Sequence, residues 1–112
     1  MFYNKLIRDH IPAIITQSGR QCRTATMPAD EYNQALRAKL VEEALEVQAA
    51  RPEELLQELA DVLEVVQALA ATHGLALTTV EAMRQQRHQE RGGFTQRLKL
   101  LEILPADSRS DA

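Results

Sequence analysis

The chain has 112 residues, 45% hydrophobic and 26% charged, with a net charge of −3. That length suits one domain and can bury a modest core without disulfides, while the composition excludes a wholly disordered chain. The mildly acidic balance, pI ≈ 5.6, gives no global basic field for a nucleic-acid backbone, so no polymeric nucleic acid is expected as a partner. The single cysteine, Cys22, can form neither an intrachain disulfide nor a cysteine zinc cluster. No apolar run approaches a membrane span, and residues 1–10 mix charges with apolar side chains without a signal-peptide core. A cytoplasmic location and no membrane partner are the expectation.

Ala, Leu, Glu and Gln dominate, with only 4 Gly and 4 Pro, which favours helices. A short helix is expected over residues 9–17, ending before Gly19. Residues 20–27 alternate loosely and read as a short extended arm. Pro28 and Asp30 introduce a long helix over residues 31–49, with Asp30 as its N-cap. Pro52 suits the first turn of the next helix, which runs to about residue 73 and stops at Gly74. A fourth helix begins at Thr78, where Thr78 and Glu81 have capping-box spacing, and ends at Gly92 and Gly93. Residues 94–104 form an apolar tail element of undetermined type, and residues 105–112 are small, polar and frayed. The expected architecture is all-α: a bundle of about four helices in one domain over residues 1–104, with a short extended arm near the N-terminus.

The informative residues are carboxylates at positions where leucines belong. At about 100° per residue, Leu36, Leu40 and Val47 fall within roughly 60° of Glu43, and Glu46 borders that stripe. On the following helix Leu55, Val62, Val65 and Leu69 fall within roughly 60° of Glu58, and Asp61 flanks them. These apolar residues are the expected core. Glu46 and Glu58 are symmetric about Pro52, as are Glu43 and Asp61, so an antiparallel hairpin brings the four carboxylates together. Four like charges in a partly apolar seam need protons or a cation. A hard divalent cation such as Mg²⁺ suits all-oxygen ligation. Zinc fits less well, because neither helix supplies a histidine on this face, and no histidine has a Glu three residues before it, as a di-iron bundle requires. The competing explanation is a solvated Glu-rich face, to which Glu53, Glu54 and Glu64 belong.

The pattern E-E-x-x-E over Glu42 to Glu46, followed by E-x-x-D over Glu58 to Asp61, resembles the signature of the all-α nucleoside triphosphate pyrophosphohydrolases, the MazG-like and phosphoribosyl-ATP pyrophosphohydrolase-like proteins. The opening Y-N-K-L-I-R-D-x-I-P, Tyr3 to Pro12, and R-G-G-F, Arg91 to Phe94, resemble one small MazG-like subgroup. The resemblance implies Mg²⁺-dependent (or Mn²⁺-dependent) cleavage of a nucleoside triphosphate between the α- and β-phosphates, giving monophosphate and pyrophosphate. By position it makes Glu43, Glu46, Glu58 and Asp61 the metal ligands and gives Glu42 the role of orienting or deprotonating the attacking water. It also implies homodimers or dimers of dimers. Phosphoribosyl-ATP hydrolysis in histidine biosynthesis shares the motif and stays open, as does a non-catalytic helical module that binds metal or nucleotide.

Phosphates need cations away from the metal. Lys39 borders the acidic face one turn before Glu43, where a helical ion pair with Glu43 is the alternative role. Arg84, Arg87 and Arg91 recur at helical spacing, with His88 beside them, as a phosphate-facing stripe or a solvated basic face. Asn4, Lys5 and Arg8 form a polar cluster before the first helix. There Asn4 is a candidate to read a base edge and Lys5 or Arg8 to hold phosphate, unless Arg8 and Asp9 merely pair and cap the helix.

Overall fold

In a computed structural model, residues 4–106 are described. They form four α-helices and a 3₁₀ turn with no strand among the described residues: α1 Ile11–Gln17, α2 Ala29–Ala49, the turn Pro52–Glu54, α3 Leu55–Thr72 and α4 Leu77–Arg91. The all-α expectation holds. Contacts group the chain into two units, one through Val80 and one from Glu81.

Local chemistry explains most helix ends. Helix α1 starts two residues later than expected, with Pro12 in its first turn, where a missing N–H costs nothing. It ends in a Schellman motif: Gly19 N donates to Thr16 O and Arg20 N to Ile15 O, with Gly19 at φ 87°. Helix α3 ends the same way, as Gly74 N donates to Ala71 O and Leu75 N to Ala70 O, with Gly74 at φ 70°. Only glycine adopts this left-handed conformation freely.

Several boundaries differ from expectation. Helix α2 begins at Ala29 with extended Pro28 as its N-cap, so Asp30 lies inside the first turn with Glu31. There the two carboxylates favour the helix through its dipole and not by capping. Pro52 opens a 3₁₀ turn ahead of α3, and Glu54 Oε1 accepts from both the backbone N and Nε of Arg51. Helix α4 begins at Leu77, and its expected capping partner Glu81 accepts from Arg84 and Gln85. The arm at residues 20–27 has no regular structure, and neither have the described residues after α4 apart from a turn at residues 95–96. The tail expected over residues 105–112 lies outside the described residues from residue 107 onward.

Helices α2 and α3 pack as a hairpin. Asn33 near the start of α2 locks the register against the end of α3: its Nδ2 donates to Thr72 Oγ1 at 2.9 Å and lies 3.0 Å from His73 Nε2, while Arg37 Nε donates to Asn33 Oδ1. Leu36, Val65 and Ala70 are buried. The expected core residues Leu40, Val47, Val62 and Leu69 are half-buried. Leu55 is not core: at the first position of α3, beside the turn, it is 40% exposed. A second apolar stripe, Val41 and Leu45 on α2 with Leu56, Leu59 and Leu63 on α3, is exposed, and Leu56 reaches 82%. On the helical wheel these residues lie roughly opposite Leu36 and Val65.

Candidate metal centre

Carboxylates from both arms of the hairpin meet near its seam. Carboxylate oxygens of Glu43 on α2 and of Glu58 and Asp61 on α3 all lie within 4.8 Å of one another, and all three residues are half-buried. The i, i+3 spacing of Glu58 and Asp61 puts them on one helix face, and the short turn sets Glu43 opposite. Partial burial and the negative charges of Asp61, Glu46, Glu43 and Glu54 hold the Glu58 carboxyl above the usual carboxylate range. Glu46 is thus close enough to be felt, but it is exposed and outside the triad. Three clustered carboxylates with no soft donor among them fit a hard divalent cation of the Mg²⁺ or Mn²⁺ type.

Three cations line the cluster. Arg8 Nη2 donates to Asp61 Oδ1 at 2.7 Å, so Arg8 pairs with Asp61 rather than with its neighbour Asp9. Lys39 Nζ lies 3.5 Å from both Glu42 and Glu43, which realises the helical ion pair. Lys5 Nζ reaches Glu42 at 3.6 Å. Glu42 therefore sits between two lysines and shares one of them, Lys39, with Glu43 of the triad. These pairs lay the N-terminal arm, residues 4–8, where the sequence offered Asn4 for a base edge and Lys5 or Arg8 for phosphate, against the acidic face. Arg84, Arg87 and Arg91 are exposed and belong to the second unit, where Arg84 is held by Glu81 at 2.7 Å.

Beside Lys5 and Lys39 opens a groove of about 410 Å³ between the N-terminal arm and the first half of α2, lined by Asn4, Leu6, Met27, Glu31, Gln34 and Ala38 among others. The sequence reading missed Glu31, Gln34 and Met27. A usable signal was present: Glu31, Ala35, Ala38 and Glu42 recur at helical spacing, a stripe of polar and small residues that large side chains would close.

Comparison with known proteins shows the family. A model of the family described as phosphoribosyl-ATP pyrophosphohydrolase matches residues 14–88, a span that includes all four carboxylates of the expected ligand set. The chain belongs to this family, whose named chemistry is the hydrolysis of a phosphoric anhydride. A curated relative, an uncharacterized protein of Mycolicibacterium smegmatis, is 50% identical over 46 residues, 41% of this chain and 47% of the relative. The chain thus spans about half the length of that relative. No solved structure matches. Among the described residues, no single helix is long and apolar enough to cross a membrane.

Proposed function

We propose that the protein is a metal-dependent nucleotide pyrophosphohydrolase that cleaves a nucleoside triphosphate between its α- and β-phosphates. The observation that carries this reading is the meeting of Glu43, Glu58 and Asp61 from two helices within 4.8 Å, beside cations able to take phosphate oxygens. A water oxygen forms the new bond to the α-phosphorus, and the bond from that phosphorus to the oxygen bridging to the β-phosphorus breaks. Pyrophosphate leaves, and the water's proton passes to a base. In this reading Glu42, which shares Lys39 with Glu43, orients that water and receives its proton. Bound Mg²⁺ would polarise the α-phosphate and lower the pKa of the water. Glu43, Glu58 and Asp61 would hold it, with Glu46 joining as an outer or substrate-dependent ligand. Arg8, Lys5 and Lys39 would neutralise and orient the phosphates, charge-assisted contacts being the strong ones for such oxygens.

Phosphoribosyl-ATP is the second candidate substrate, favoured by the description of the matching family. It carries the same triphosphate, so the cluster treats both alike. The test is incubation with Mg²⁺ and a panel of nucleotides that includes phosphoribosyl-ATP. Matched release of pyrophosphate and monophosphate, abolished by EDTA, is expected. Orthophosphate as the first product, or nucleotide binding without turnover, overturns the reading.

The working unit in this proposal is a homodimer or a dimer of dimers. The exposed stripe of Val41, Leu45, Leu56, Leu59 and Leu63 is the surface a second copy would cover.

A further inference from the structure

We infer that the groove between the N-terminal arm and α2 receives the nucleoside end of the substrate, with Gln34 and Asn4 as its base-specificity residues; this rests on the pyrophosphohydrolase reading. The groove's volume, about 410 Å³, lies within the range of small-molecule sites. Its walls divide by chemistry. Leu6, Met27, Ala35 and Ala38 are apolar and suit the faces of a flat heterocycle. Lys5, Lys39 and Glu42 form the end it shares with the acidic cluster, since Lys39 also lies 3.5 Å from Glu43. A triphosphate anchored at the carboxylates therefore points its nucleoside into this groove.

The remaining polar lining supplies recognition. Gln34 and Asn4 each carry a carboxamide, which donates and accepts at adjacent atoms and so matches the paired donor and acceptor on a base edge. Neither carboxamide is hydrogen-bonded to another group among the described residues, whereas Asn33, next to Gln34, is fully engaged with Thr72, His73 and Arg37. Asn4 is held at φ 48°, a left-handed conformation that Asn tolerates better than most residues and that recurs at ligand clamps. Glu31 adds an acceptor-only carboxylate to the same lining. With the amide oxygens of Gln34 and Asn4 it favours an edge bearing an exocyclic amine, as in adenine, cytosine or guanine, over that of uracil, whose single N3–H is flanked by two carbonyl oxygens.

The experiment measures kcat/KM for ATP, CTP, GTP and UTP by pyrophosphate release in the wild type, Gln34→Leu and Asn4→Ala, alongside ¹H–¹⁵N spectra of the side-chain amides during titration with the nucleoside monophosphates. An amine-bearing base is expected to be preferred. Losing one recognition hydrogen bond should shrink that preference by roughly three- to tenfold. The Asn4 and Gln34 amide signals should move on titration. Preferences unchanged in both variants, or a wild type that prefers UTP, overturn the inference and leave the pyrophosphohydrolase reading intact. If the wild type turns over no nucleotide, that reading fails by itself and the spectra decide the groove: shifts of the two amides sustain it as a nucleoside site, and unmoved amides overturn it.

Discussion

Arg8 and Asp61 stand 53 residues apart in the chain, yet the guanidinium Nη2 sits 2.7 Å from the carboxylate Oδ1. Asp61 is also one of the three clustered carboxylates, so Arg8 occupies a position that a metal ion would contest. Arg8→Ala should therefore tighten Mg²⁺ binding in the absence of nucleotide while raising KM for the triphosphate. Calorimetric Mg²⁺ titration and steady-state kinetics read the two opposite signs. The pair is partly exposed, so the stability change should stay below about 1 kcal/mol.

The triad separates its members from Glu46. Asp61→Asn should weaken Mg²⁺ binding by more than about a hundredfold, beyond the ten- to hundredfold loss usual for residues outside the direct ligands. Glu46→Gln should fall within that smaller range. Helical circular dichroism should persist in both. Equal losses in the two variants would return Glu46 to the ligand set on the same footing.

Glu58 predicts a pH signature in metal-free protein. Its carboxyl lies above the usual range in the fold, first through burial and then through its acidic neighbours. A carboxyl raised on folding favours the folded state below its unfolded pKa, and that advantage is lost as pH rises through the folded value. Glu58→Gln should accordingly raise the Tm of the metal-free protein at neutral pH and leave it little changed well below the carboxylate range. With saturating Mg²⁺ the sign should reverse, because the variant forfeits ligand-linked stabilisation. Thermal melts across pH, with and without Mg²⁺, test both halves.

The exposed apolar stripe makes a prediction independent of the chemistry. Leu59→Lys should shift the protein to a lower oligomer in sedimentation velocity. Burying a leucine fully stabilises by roughly 1.5–3 kcal/mol, and a two-fold interface would count the change twice. An unchanged sedimentation coefficient would remove this face as the contact between copies.

The hairpin was legible in the sequence because two independent patterns agreed: leucine and valine at helical spacing, and Pro52 between two arms of matched length. Glu43 and Glu58 stood out because they interrupt an apolar stripe, a conflict between local polarity and burial that a compensating partner resolves, and Asp61 stood out as the flanking carboxylate opposite Glu43 in the hairpin. Glu46 and Asp61 have the same wheel offset of roughly 60°, yet Glu46 is exposed and Asp61 half-buried, a difference that the helix period does not encode. Leu55 failed as core because periodicity carries no information about where a helix begins relative to its neighbour. The pairing of Arg8 with Asp61 and of Lys5 with Glu42 was beyond reach for another reason. It depends on the path of an irregular arm, and such segments have no period from which to infer direction. Gln34 went unnoticed because it is exposed, and the helix period does not separate the wall of an open groove from the rest of a solvated face.

The carboxylate triad draws one oxygen donor from α2 and two from α3. An ion seated there would act as a rivet between two rods that otherwise share a thin apolar contact. Breathing of the hairpin and opening of the coordination shell would then be a single motion, so hydrogen exchange along α2 and α3 should slow together as the cation is titrated in.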